Sequence, residues 1–237
     1  MAMNHTTSLQ VGGKREANKV DKLARIKAAA QDLFVQNGYD DTTTREIAAR
    51  AGVALGTVFT YASNKRDLLF LVANDLLGAT REAAEESIQT DRSLLDNLIV
   101  FGAYHYRALG AQPALSKLIL RELLFYDSGV QAVRAFENRA LFWKNLESMI
   151  QSAHDRGEVA LVVKGEKMAR VLFAILQAEI RHWLALDDRD LVAGLAELWT
   201  SASLVICGIS TQPVPSTARV AHLRGLVKSM DQPVDVR

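Results

Sequence analysis

Cysteine is almost absent from this 237-residue chain: Cys207 stands alone, so no internal disulfide can form, and a reducing, cytoplasmic setting is expected. Its neighbours Val205 and Ile206 are apolar, which predicts a buried, inert thiol. Proline is scarce as well. There are four, none before Pro113, and long stretches are therefore free to be helical. No apolar run approaches the roughly 18 residues of a spanning helix, so a membrane is not an expected partner. The opening segment MAMNHTTSLQVGGKREANK lacks the apolar core of a signal peptide and reads as a disordered, weakly basic leader. Charge of one sign is lacking too, with a net of +1, and the chain as a whole is no polyanion binder. The imbalance is local: residues 1–70 carry ten Lys/Arg against seven Asp/Glu, a mildly basic head on a mildly acidic body.

Catalytic and metal-binding signatures are missing in the same way. The chain has no Ser/His/Asp order, no H-E-x-x-H, no phosphate-cradling glycine loop and no CxxC. His154 and His182 have no second histidine or cysteine four residues on. No metal or cofactor is expected, and no enzyme. What is present is apolar content near half, enough to bury a sizeable core in one large or two small domains, without the alternation of strands. The expected fold class is all-α.

The most informative stretch is TTTREIAARAGVALGTVFTYASNKRDLL, from Thr42 to Leu69. Thr43-Thr44-Arg45-Glu46 has the form of a capping box, in which the threonine hydroxyl and the Glu46 carboxylate satisfy each other's backbone amides. A short helix follows through Ile47, Ala48 and Ala51, and Gly52 ends it in a tight turn. A second short helix spans about Leu55 to Phe59, with Val53 and Val58 inward. Helix, glycine turn and helix form the unit that places a helix in the major groove of DNA.

These residues resemble the TetR (tetracycline-repressor) family pattern. Thr43, Thr44, Ile47, Ala48, Ala51, Gly52, Val53, Gly56, Thr57, Tyr61, Lys65 and Leu68 stand where that pattern wants them. The upstream RIKAAAQDLFVQNGYDDTT is similar to the family's first helix and its Gly-Tyr exit. Departures are Ala54 for a serine cap, Phe59 for a tyrosine, Ala62 for a phenylalanine and Asn64 for a serine. The resemblance implies that Tyr61 and Lys65 grip phosphates, with Thr44 and Thr57 as further phosphate contacts, and that Arg45 reads a base. Leu55 can pack on a thymine methyl, Gly56 admits close approach, and Phe59 and Thr60 complete a recognition helix poor in hydrogen-bonding readers. Lys14, Arg15 and Lys19 of the leader are minor-groove candidates.

The expected organisation is a leader at 1–19, a three-helix helix-turn-helix DNA-binding domain at 20–66, a helical-bundle effector and dimerisation domain at 67–210, and a tail at 211–237. The first helix should run Val20 to Asn37, with Val20, Leu23, Ile26, Ala30, Leu33 and Phe34 inward. The fourth begins after Asn64, which caps it with Asp67 three residues on, and joins head to body; the fifth is capped by Asp91. A sixth opens at Pro113, a seventh runs Val130 to Arg156, an eighth Gly165 to Leu184 and a ninth Asp188 to Gly208. Pro213 and Pro215 break the chain, and Val220, Leu223, Val227 and Met230 suggest a short tail helix. Ala169 to Ile180 of helix eight and the latter half of helix nine are apolar nearly all round, which predicts a homodimer through them. Phe101, His105, Leu124, Phe125, Phe142 and Phe173 are the expected walls of an effector cavity. By resemblance the function is a one-component repressor that binds a palindromic operator and is released by a small apolar or amphipathic effector. The alternative is an α-helical enzyme or ligand-binding module with a degenerate DNA-binding head.

Overall fold

The structure, a computed structural model, describes residues 6–160, 164–209, 211 and 220–230, residues 6–15 through their backbone alone. Pro213 and Pro215 lie outside the described residues. Ten helices are present among those described: α1 (Thr6–Gln36), α2 (Thr44–Arg50), α3 (Leu55–Phe59), α4 (Lys65–Glu86), α5 (Leu94–Gly110), α6 (Pro113–Leu123), α7 (Ala132–Asp155), α8 (Gly165–Ala185), α9 (Leu191–Cys207) and α10 (Val220–Ser229). They fall into two compact units, one of Met1–Asp75 with Arg121–Ala135, the other of Leu76–Leu120 with Phe136–Arg237. This differs from a boundary at residue 66. The segment 121–135, expected in the body, groups with the head. Helices α4, α6 and α7 each continue from one unit into the other.

In the head, Ile26, Ala30, Leu33 and Phe34 of α1 are buried with Ile47 and Ala48 of α2, Val58 of α3 and Leu68 and Leu69 of α4. Val20, expected among them, is 60% exposed, because α1 runs past the core there. That helix starts at Thr6 rather than Val20. A stretch of Lys, Arg, Glu and Ala propagates an existing helix at little cost, and Glu16 lies 3.8 Å from Lys19 one turn on. At the other end, Gly38 takes a φ of 83° and buried Thr42 donates to the carbonyls of Gly38 and Leu33 at 2.7 and 3.1 Å, closing the helix.

The body is built around α5, twelve of whose residues are buried, and α5 packs on α9 and α8. Ser93 caps α5, accepting from the Asp96 amide; the cap is not Asp91, which lies two residues too early for that bond. Asp190 caps α9 at 2.7 Å, so the helix starts at Leu191 rather than Asp188. The tail helix α10 is docked: Leu223 is fully buried, and His222 Nε2 lies 2.7 Å from Asp96 on α5. Cys207, expected to be buried, is exposed. It follows buried Ile206 by one residue, and the 100° step of a helix turns it off the core face.

Gly52, between α2 and α3, has a φ of 62°, and a Cβ there would sit 3.2 Å from the Arg25 guanidinium. That guanidinium donates to the Ala51 carbonyl at 2.7 Å, satisfying the end of α2 from α1. Gly52→Ala should therefore cost about 1–2 kcal/mol, from the left-handed backbone and the displaced arginine. A thermal midpoint equal to that of the parent would refute the assignment.

Candidate nucleic-acid interface and effector core

The turn between α2 and α3 is assembled from local chemistry. The Glu46 amide donates to Thr43 Oγ1 at 3.2 Å and the Thr43 amide to Glu46 Oε2 at 2.7 Å, the reciprocal pair of a capping box. The Thr43 amide first, and then the Thr43 hydroxyl, which donates to the same oxygen at 2.9 Å, hold the Glu46 carboxyl below its ordinary range. Ile47, Ala48 and Val58 are buried and anchor both helices. Val53 is half-buried. Thr44, Leu55 and Thr57 are half-buried, whereas Arg45, Gly56, Phe59 and Thr60 are exposed. Ala54 at the α3 N-cap makes no side-chain bond, the consequence of the missing serine. Phe59 presents a large apolar ring to solvent at 46% exposure.

Tyr61 and Lys65 already have partners on the protein. The Tyr61 hydroxyl donates to the Lys19 carbonyl at 3.3 Å, a long bond that a phosphate oxygen can replace. Lys65 donates to the Asp40 carbonyl at 2.9 Å and sits 4.6 Å over the Tyr39 ring, which leaves two ammonium protons. Arg121, at the end of α6, lies 5.9 Å from the same ring. Arg50 is held by Asp32 at 3.3 Å, while Arg45 is exposed at the start of α2.

One residue that matters here has no motif. Asp67 is fully buried near the start of α4, and its carboxylate accepts from the Ser63 amide and hydroxyl and from the Val130 and Gln131 amides at 2.8–3.0 Å. The Tyr126 hydroxyl donates to it as well. Burial works to raise its pKa, and these bonds more than reverse that, so the group stays ionised. Gly129, with a φ of 120°, turns the chain into this contact, and α7 begins at Ala132 rather than Val130. Sequence reading finds Asp67 only as the partner of the Asn64 cap, a bond that is present at 2.9 Å. The available signal is a charge on the Asp67, Phe70, Leu71, Asn74 stripe, whose residues are all buried.

In the body, four of the six expected cavity residues come together. Phe101 lies 4.9 Å from His105 and 5.0 Å from Phe142, and Phe142 lies 5.0 Å from Phe173, ring centre to ring centre. Phe173 in turn meets Trp143 at 6.0 Å, and Arg139 and Arg170 both sit over the Trp143 ring, at 5.8 and 5.2 Å. A run of rings thus leads from two guanidinium groups inward to buried Phe101 and His105. Leu124 and Phe125 do not join it. They are 61% and 74% exposed, just past the end of α6, where the chain has turned from the body's core to follow the head.

A family model described as "Bacterial regulatory proteins, tetR family" matches residues 26–72, which contain α2, α3 and the start of α4. Among curated proteins, the fatty acid metabolism regulator protein of Bacillus subtilis is 25% identical over 177 residues, 74% of this chain and 90% of its own length. The HTH-type transcriptional regulator TtgR of Pseudomonas putida is 25% identical over 193 residues, 79% of this chain and 91% of its own. Among solved structures, Thermus thermophilus FadR, a TetR-family transcriptional repressor in complex with lauroyl-CoA, superposes with a TM-score of 0.64 at 26% identity. That match covers 83% of this chain and the whole of the other.

His105 is buried, with Nδ1 2.9 Å from the Phe101 carbonyl, and burial, with the Arg81 charge, lowers its pKa to about 4. Unfolded, the imidazole titrates near 6.5, so between about pH 6.5 and 4 the unfolded chain takes a proton that the folded chain refuses. Stability should fall on acidification through that window, by up to about 1.4 kcal/mol per pH unit. In His105→Gln the difference between urea midpoints at pH 7 and pH 5 should shrink. An undiminished difference would count against this account.

Proposed function

We propose that this chain, which belongs to the tetR family of bacterial regulatory proteins, is a one-component repressor that binds a palindromic operator as a dimer and leaves it when an amphipathic effector binds. The observation that carries the reading is the α2–Gly52–α3 unit. Its buried side is anchored by Ile47, Ala48 and Val58, and its outer side presents Arg45, Gly56, Phe59 and Thr60. Leu55 and Phe59 suit thymine methyls, Arg45 a guanine edge, and Thr44, Thr57, Tyr61 and Lys65 the phosphates on either side.

The dimer forms through α8 and α9. Val171, Ala174, Ile175 and Ala178, with Lys167 and Arg170 beside them, line an open groove on α8, and Leu204 of α9 is 71% exposed. A monomer has no use for an apolar second face on either helix. Two such faces about a two-fold axis set the heads on half-sites at least one helical turn apart.

The effector site is the run of rings in the body, and its chemistry favours a long-chain acyl thioester of coenzyme A. Rings at 4.9–6.0 Å part to admit an acyl chain, and Arg139 and Arg170 at the outer end receive an anionic head. The lauroyl-CoA bound by the Thermus relative supports this choice. By linkage, operator and acyl-CoA must weaken each other's binding by one common factor, typically about 5–150-fold.

Titration of DNA from upstream of the chain's own gene tests the reading. Binding should be specific, lose affinity steeply with salt, and reverse on adding lauroyl-CoA. Absence of salt-sensitive binding, or turnover of a substrate without it, would favour a helical enzyme or binding module with a degenerate head. Lys65→Ala should weaken all sequences alike and reduce the salt slope by about 1, whereas Arg45→Ala should relax preference at one operator position by roughly 1–3 kcal/mol. Light scattering should give a dimer at micromolar concentration, and a monomer would overturn the assembly.

A further inference from the structure

We propose that Asp67 and Gln131 make the segment between α6 and α7 a working part of the DNA-binding head, with Gln131 the positioning residue that holds Tyr61 for its phosphate contact. The inference rests on the reading of Tyr61 as a DNA contact. It concerns residues 126–131, which lie more than fifty positions from the helix-turn-helix and match no motif.

The geometry is that of a turn folded around a carboxylate. Gly129 has a φ of 120°, and a Cβ there would fall 2.6 Å from Asp67 Oδ1. Only glycine lets the chain pass this close, and the pass aims two successive amides, of Val130 and Gln131, at the two oxygens. Such a concavity of backbone N–H groups ordinarily holds an anion from outside. Here the anion is a side chain of the head. Tyr126 adds its hydroxyl, and its ring stacks on Phe70 of α4 at 3.7 Å and 6°. Arg66 then donates to the Glu122 carbonyl at 2.7 Å and its guanidinium lies 5.5 Å over the Tyr126 ring.

Gln131 is the outlet of this clamp. Its backbone is fixed on both sides, the amide to Asp67 and the carbonyl to Asn74 Nδ2 at 3.1 Å. Its side chain is thus set to donate from Nε2 to the Tyr61 carbonyl at 2.9 Å. Tyr61 follows α3 by two residues, where the backbone leaves the recognition helix, so Gln131 fixes the point from which the phenol reaches outward. Breaking the clamp would strand a buried carboxylate, which is costly, so the 121–135 segment moves with the head. Because α6 and α7 continue from that segment into the other unit, a displacement in those helices has a hydrogen-bonded route to Tyr61 besides the one along α4.

The test is a double-mutant cycle on operator affinity with Gln131→Ala and Tyr61→Phe. Gln131→Ala removes one side-chain donor from a half-buried position and should leave the thermal midpoint nearly unchanged. It should weaken operator binding about tenfold in the parent, the size of one well-placed hydrogen bond, and less than about twofold in the Tyr61→Phe background. A residue of merely structural value would cost the same in both. Asp67→Asn, if it folds, should weaken binding at least as much as Gln131→Ala; if it does not fold, the cycle decides alone. Should the parent show no salt-sensitive DNA binding, the functional reading itself has failed. Should the parent bind while Gln131→Ala binds equally well, or the two substitutions add, the positioning role is overturned.

Discussion

A carboxylate with no cation partner among the described residues is buried at the start of α4, and the arrangement of the head depends on it. Asp67 is kept ionised by backbone amides and two hydroxyls rather than by an arginine, although Arg66 is its neighbour in sequence. The choice matters physically. A salt bridge tolerates some sliding, whereas amides that converge from two segments fix both the position and the direction of the chain that carries them. The first turn of α4, the loop before α7 and the exit of α3 are therefore registered against one point. A second ionic contact works alongside it: Asp75 takes Lys27 of α1 and Arg134 of α7, the latter at 2.6 Å, with its carboxyl held below the ordinary range despite burial.

Against that framework the recognition helix itself is sparsely held. It has five residues and no side-chain cap, and Val58 is its one buried anchor. Its stability comes from what lies on either side: the capping box that starts α2, the Arg25 guanidinium that ends it, and the Gln131 bond just past α3. A helix this short would not persist alone. Its outward residues Gly56, Phe59 and Thr60 are exposed, as is Arg45 of α2.

What is legible in the sequence is what acts within four residues. The Thr43–Glu46 box, the Asn64 cap, the positive φ of Gly52 and the proline-led start of α6 are all short-range chemistry. Helical periodicity likewise reveals the body's helices, and the distribution of Phe101, His105, Phe142 and Phe173 along them points to the ring cluster. Long-range bonds are not legible. Arg25 reaches 26 residues to Ala51, and Asp67 reaches 59 to 64 residues to Tyr126, Val130 and Gln131. The misplacement of Leu124 and Phe125 has the same root. Leu124 and Phe125 read as body because they follow an amphipathic helix, and nothing nearby says that the chain there has crossed to the head. Cys207 reads as buried from its neighbours' polarity, which says nothing of the angle at which the helix presents it.

The division of the chain also bears on how such proteins can be recombined. A graft that transplants the head as one continuous piece, ending anywhere between residues 67 and 75, would separate Asp67 from Tyr126, Val130 and Gln131. The foreign loop would have to supply a glycine in the left-handed region and two amides at the right spacing, or leave the charge without solvation. The exchangeable module is discontinuous, residues 1–75 together with 121–135, and its seams fall inside α4, α6 and α7. Helical phase must then be preserved at three junctions at once, since one residue gained or lost at any of them rotates everything beyond it by about 100°. Exchange of sensors among such chains is thereby restricted to partners whose three connecting helices agree in length.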